Sequence, residues 1–225
     1  MDSGSERVYL GIVLRAPAHE GGDRHDPRER LRPQRGRVHP HRIDKGKGTD
    51  TGSARKDEEG RVLGASPAGD VLLLLGSNVG GRLRRLREGL DLLAGKVEIT
   101  RVSRVYAGEP WGMPDQPWFL NLAVRGTCGM SPEDLLAFVK EVEAIAGRKP
   151  RGRWGPRELD VDILMMGETV VCEPDLVIPH PRLAFRRFCL VPLAEIAPAA
   201  VVPPEGKTVR ELLEACRDPL EVFPL

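Results

Sequence analysis

Arg153-Trp154-Gly155-Pro156-Arg157-Glu158-Leu159-Asp160-Val161-Asp162-Ile163 passes from a basic loop into a strand that carries two carboxylates. Successive side chains on a strand point to opposite faces. Asp160 and Asp162 therefore share one face, while Leu159, Val161 and Ile163 share the other, which is apolar and belongs against a core. Taken alone, Asp-x-Asp also describes the solvated face of an edge strand. Two carboxylates on one face repel unless a cation lies between them, and hard oxygen ligands beside basic residues suit Mg²⁺ carried on phosphates.

The residues just before this strand favour the second reading. From Gly147 the chain carries Arg148, Lys149, Arg151, Arg153 and Arg157 among glycines and prolines, a composition that makes a surface loop. Guanidinium forks match phosphate oxygens bidentately, so the loop can clamp a polyphosphate whose metal the carboxylates hold. A solvated charge run or a nonspecific nucleic-acid patch is the alternative.

Upstream, Glu109-Pro-Trp-Gly-Met-Pro-Asp-Gln-Pro117 is a proline-studded loop leading into Trp118-Phe-Leu-Asn-Leu-Ala-Val124, which alternates as a strand. Leu120, Leu122 and Val124 form one face; Phe119, Asn121 and Ala123 form the other. An aromatic ring two residues from an amide suits a planar heterocycle with several ring nitrogens, although a strand phenylalanine is also an ordinary core residue.

The remaining elements follow from the same spacing rules. Val71 to Leu75 reads as a buried strand, and Leu83, Leu86, Leu90 and Leu93 recur at helical spacing up to Gly95, a C-cap. Residues 97–106 and 118–127 read as two strands. Ser131, Pro132 and Asp134 open a second helix that Gly147 closes. Residues 159–165 make the fourth strand, and Thr208-x-x-Glu211 has the form of a capping box for a last helix through about Cys216, with a packing role. The order βαββαβ predicts an α+β ferredoxin-like sandwich with a C-terminal extension, both helices on one sheet face and the other face free for ligands.

Gly76-Ser77-Asn78, Pro117-x-Phe119-x-Asn121, Arg153-Trp154-Gly155-Pro156-Arg157 with Leu159-Asp160-x-Asp162-Ile163, and Pro179-His180-Pro181-Arg182 with Arg186-x-Phe188 occur in that order. Together they resemble the 6-hydroxymethyl-7,8-dihydropterin pyrophosphokinase family over about Val71 to Ala215. The resemblance implies transfer of the pyrophosphoryl group of ATP to the pterin hydroxymethyl oxygen, with release of AMP, in folate synthesis. It implies that Phe119 and Phe188 sandwich the pterin, that Asn121 bonds its edge, and that Gly108, Pro110, Trp111 and Trp154 complete that subsite. It further implies that Asp160 and Asp162 hold two Mg²⁺ ions, and that Glu143, Arg148, Arg157, Ile163, His180 and Arg186 meet the nucleotide. Arg148 and Arg157 join the aspartates as catalytic groups. No Gly-x-x-x-x-Gly-Lys-Ser/Thr loop is present.

The chain departs from that pattern in small ways. The basic loop is one residue shorter, Lys140 stands where a neutral amide is usual, Pro181 where an aromatic can occur, and Gly81 where an aspartate often starts the first helix. A single-stranded nucleic-acid module and a phosphotransferase acting on another heterocycle remain as rival readings. The first would need no acidic pair, since aspartates repel phosphates unless metals intervene.

Composition agrees with a cytoplasmic enzyme. The chain has 225 residues and a formal net charge of +1, which gives no electrostatic bias toward nucleic acid or membrane. Cys128, Cys172, Cys189 and Cys216 form no Cys-x-x-Cys pair and read as buried reduced thiols. No apolar run spans a bilayer. Residues 1–69 are charged and rich in proline and glycine, with little apolar content to offset ordering entropy, and read as a disordered arm or as sequence upstream of the true start. Residues 70–225 form the expected domain.

Overall fold

The structure, a computed structural model, describes residues 69–112, 115–149 and 155–225. The expectations for the N-terminal arm fall outside the described residues. β1 (Gly69–Ser77) runs up the middle of an antiparallel sheet, paired with β4 (Phe119–Cys128) on one side and β5 (Asp160–Met166) on the other. Covered on both faces, its Val71 to Leu75 run is buried without alternation, as a central strand must be.

The expected single strand over residues 97–106 is two strands. β2 (Glu98–Val102) and β3 (Tyr106–Gly108) both pair with β4, and between them three residues, 103–105, face two on the partner, 122 and 123. The break is built by Ser103, whose N–H donates to the Ala123 carbonyl while its Oγ accepts from the Ala123 N–H, both at 2.9 Å. A side chain here replaces one backbone rung and lets the strand bulge.

α1 (Arg82–Leu93) and α2 (Pro132–Ile145) pack on one sheet face. Gly89 sits where α1 crosses the sheet. A Cβ there would stand 2.9 Å from Leu159 Cδ2 and 3.0 Å from Leu75 Cδ2, so the helix approaches as closely as glycine allows. Leu83 is exposed, and α1 ends at Leu93 with Ala94 as its cap, one residue before the expected Gly95. α2 begins as expected: Ser131 Oγ accepts the Asp134 N–H at 3.1 Å, and Gly147, at φ 85°, closes the helix.

The opposite face is covered over much of its area, which narrows the expectation that it is free for ligands. One short hairpin, β6 (Val171–Cys172) with β7 (Val177–Ile178), precedes helix α3 (Arg187–Ile196), a second, β8 (Val201–Val202) with β9 (Lys207–Thr208), precedes α4 (Val209–Ala215), and the two helices cover this face together. Leu72, Leu74, Ala123 and Leu164 of the sheet pack with Cys189, Leu190, Leu193, Val209 and Leu212. Each fully buried leucine contributes roughly 1.5–3 kcal/mol, which an open sheet face would forgo. α4 opens on the expected capping box between Thr208 and Glu211.

A last strand, β10 (Val222–Pro224), pairs with the outer edge of β3 and gives the sheet order β10-β3-β4-β1-β5, with β2 beside β3 on β4. Among the described residues all four cysteines are free thiols, and Cys172 is exposed rather than buried. No helix among the described residues is long and apolar enough to cross a membrane.

Candidate active site

A cavity of about 350 Å³ opens on the α3 side of the sheet, at the start of that helix. The sheet gives it a floor: Leu74 and Gly76 from β1, Phe119 and Asn121 from β4, Asp160 and Asp162 from β5. These lie on one face because β1, β4 and β5 are in register, with Gly76 opposite both Asn121 and Asp160, and Leu74 opposite Asp162. Gly76 is required here, since a Cβ would stand 2.9 Å from Asn121 Oδ1. The amide Nδ2 of Asn121 is buried and has no hydrogen-bond partner among the described residues. A buried donor left unpaired costs about 1–3 kcal/mol, which an acceptor entering the cavity could offset.

The two aspartates differ electrostatically. Asp160 Oδ1 lies 2.9 Å from Arg148 Nη1 and 3.2 Å from Arg157 Nη1. Asp162 makes no hydrogen bond or ion pair with the described residues. Burial, and next the charge of Asp160, push its carboxyl up to about 7. The charges of Arg186 and Lys140 oppose that shift without cancelling it.

Glu143 does not face the cavity, contrary to expectation. It is 1% exposed, accepts the N–H of Val161 at 2.9 Å and the ammonium of Lys140 at 3.1 Å, and lies against Arg148 Nη1. Burial raises its carboxyl to about 7 against the opposing pull of the Val161 N–H and of Lys140. It therefore acts on the site through Arg148 and the β5 backbone. Ile163 is also absent from the cavity lining, because it points to the buried α1 and α2 side with Val161.

His180 does line the cavity. Its Nδ1 accepts the N–H of Arg182 at 3.2 Å, and burial, with Arg186 and Arg182 nearby, lowers its imidazole to about 4. A neutral ring whose Nδ1 accepts must carry its proton on Nε2, which is then a donor. Arg186 stands 5.2 Å from the Trp111 ring centroid and 5.3 Å from that of Phe188, so one guanidinium spans two aromatic walls.

Of the residues expected at a site, Trp111, Phe119, Asn121, Arg148, Arg157, Asp160, Asp162, His180, Arg186 and Phe188 converge on this cavity. Gly108 and Pro110 are buried just behind it, and Trp154 lies outside the described residues. Sequence reasoning gave no role to Lys140 and Arg182, which also line the cavity, and expected Glu109 only as part of the backbone frame from Gly108 to Trp111. Lys140 and Arg182 could have been suspected from their place in the quoted motifs or departures; Glu109 carried no signal beyond its loop. Asn78 was also missed: it is buried and joins three loops, accepting from Arg157 N–H and donating to Gln116 Oε1 at 3.2 Å and to the Pro117 carbonyl at 3.3 Å.

By fold the chain falls in the class of mixed α/β proteins with an antiparallel sheet. The Plasmodium falciparum wild-type HPPK-DHPS structure superposes with a TM-score of 0.53 at 15% identity, over 66% of this chain and 44% of that one, a likeness of fold alone. The particular family comes from sequence: the profile of 7,8-dihydro-6-hydroxymethylpterin-pyrophosphokinase (HPPK) matches residues 72–198, and the chain belongs to that family. It is 40% identical over 141 residues to 2-amino-4-hydroxy-6-hydroxymethyldihydropteridine pyrophosphokinase of Aquifex aeolicus, covering 63% of this chain and 88% of that protein. It is 44% identical over 133 residues to the mitochondrial folate synthesis bifunctional protein of Arabidopsis thaliana, of which it spans only 24%.

Proposed function

We propose that this chain, as a pyrophosphokinase, transfers the pyrophosphoryl group of ATP to the hydroxymethyl oxygen of 6-hydroxymethyl-7,8-dihydropterin in the cavity above β1, β4 and β5, releasing AMP. We read β1, the joined β2 and β3, β4 and β5 with α1 and α2 as a ferredoxin-like sandwich. The observation that carries the functional reading is the joint lining of one cavity by the Asp160 and Asp162 carboxylates, four arginines and three aromatic rings beside an unpaired amide.

The donor set fits Mg²⁺. Asp160 and Asp162 are hard oxygen donors on one face, and at Asp162 burial and the charge of Asp160 outweigh the opposing charges of Arg186 and Lys140. Among the described residues no group of three or more His, Cys, Asp or Glu is placed to hold a metal ion. Magnesium commonly takes one or two carboxylates and completes its shell with water and substrate phosphates, so a two-aspartate site suits a metal that arrives with the nucleotide. When bound, two such ions would supply Lewis-acid neutralisation of the phosphates.

The chain's own residues do the rest. Phe119 and Phe188 stack the heterocycle and the Asn121 amide donates to its edge, holding the hydroxymethyl oxygen for in-line attack on the β-phosphorus. Arg148 and Arg157 turn from Asp160 toward the phosphates and absorb the charge that develops there, while His180 donates through Nε2. No general base is assigned; positioning and electrostatics carry most of phosphoryl transfer. The hydroxymethyl oxygen forms the new bond to the β-phosphorus as the bond from that phosphorus to the oxygen bridging to the α-phosphate breaks; AMP leaves with that oxygen, and the hydroxyl proton passes to water.

The test is AMP release from ATP and 6-hydroxymethyl-7,8-dihydropterin over a Mg²⁺ titration. Turnover that ignores the pterin, or that persists without divalent metal, would sink the reading. Single-stranded RNA competing with the pterin would support the nucleic-acid rival instead.

A further inference from the structure

Residues 218–225 hold the cavity's two aromatic walls from behind. Asp218 Oδ2 accepts the N–H of Arg187 at 3.1 Å, at the first residue of α3, and its Oδ1 accepts the N–H of Leu220 at 3.2 Å. A few residues on, β10 pairs with β3, Val222 opposite Gly108. The Glu109 N–H donates to the Glu221 carbonyl at 3.1 Å and the Glu221 N–H returns a bond to Glu109 Oε2 at 2.9 Å. The Leu225 N–H donates to the Val105 carbonyl at 2.9 Å, and the Phe223 ring stands 5.5 Å from that of Trp118.

The two anchor points belong to different walls. Arg187 lies between Arg186 and Phe188, which line the cavity from α3; Glu109 and Trp111 line it from the loop after β3. β3 is only three residues long, and so short a strand paired on one side is weakly held. β10 pairs its other side. The packing behind Gly108 is close: a Cβ there would lie 3.4 Å from Asn121 Nδ2, 3.5 Å from Phe188 Cβ and 3.8 Å from Val222 Cγ2.

We propose that residues 218–225 form a positioning strap that fixes the spacing between the Trp111 wall and the Phe188 wall, and so sets the affinity of the heterocycle subsite. The assignment of that subsite to a pterin rests on the function proposed above. The strap bonds none of Asp160, Asp162, Arg148 or Arg157, and the one expected nucleotide contact beside it is Arg186, so its effect falls first on the heterocycle subsite.

Two variants test it: deletion of residues 218–225, and Asp218→Ala in the full chain, which leaves the core layers intact. Amide hydrogen exchange of the ligand-free protein is the first measurement. It should quicken at least about tenfold at residues 106–109 in the deletion and at 187–189 in both variants, with β1 and α2 keeping parental protection. The second is steady-state kinetics: KM for the pterin should rise about tenfold in the deletion and about threefold in D218A, with KM for ATP within about twofold. Unchanged exchange at both anchors overturns the strap. So does exchange that quickens across β1 and α2 while both KM values rise together, since that is general loosening. If the parent chain released no AMP, the proposed function would fail, while the exchange measurement would still judge the strap.

Discussion

Asn78 and Arg157 grip each other at two points: the Arg157 N–H donates to Asn78 Oδ1 at 2.7 Å, and the Asn78 N–H donates to the Arg157 carbonyl at 3.0 Å. The turn after β1 is thereby joined to the segment entering β5, and Arg157 approaches Asp160 from a fixed backbone. Asn78→Ala removes the acceptor of a partly buried N–H and the ties to Gln116 and Pro117. It should cost about 1–3 kcal/mol of stability by urea unfolding. A variant as stable as the parent would show that the three loops hold their places without Asn78.

Asp160→Asn and Asp162→Asn keep shape and remove one charge each. Turnover in the AMP-release assay should fall by at least about a hundredfold in either, comparable to losing a strong electrostatic contact in a transition state. The melting temperature of Asp162→Asn in EDTA should equal or exceed the parent's, because a buried charge facing Asp160 is gone, whereas Asp160→Asn also loses its ion pairs with Arg148 and Arg157 and should show no such gain. Near-parental turnover in both would end the metal reading.

Phe119→Ala and Phe188→Ala should weaken pterin binding by roughly 1–3 kcal/mol in titration calorimetry and leave ATP affinity nearly unchanged. Equal losses for both ligands would make the two rings simple core packing.

His180 sets an acid limit on stability. Its folded value is about 4 against an ordinary 6.5, so between those pH values the unfolded chain binds the extra proton. The stability tied to neutral His180 is full above pH 6.5 and is lost as pH falls toward 4. His180→Asn removes that proton uptake, so urea midpoints of the variant should slope less steeply than the parent's over this window. Parallel slopes would mean that His180 titrates normally in the folded protein.

Much of the sheet was legible because its signals are local. The apolar run of β1, the Ser131 cap of α2, the alternation of β5 and the capping box at Thr208 each depend on neighbours within a few residues. α3 was not read as a helix: it has no side-chain cap, and Pro192 lies inside it. β10 is too short to show a period and exists only because β3 offers an edge. The carboxylate face, the aromatic pair and the arginines could be read from the sequence, since alternation assigns faces. The burial of Glu143 could not, because a glutamate in the last turn of a helix reads as solvated until a distant strand supplies the Val161 N–H.

That last bond also bears on the company the protein keeps. β5 closes one side of the sheet, so its outward backbone groups are the kind that recruit a strand from another molecule. At Val161, between the two aspartates, the outward amide is already taken by a side chain of α2. With Glu143 and Val161 both buried, that stretch of the edge offers no free N–H with which a strand of another molecule could pair.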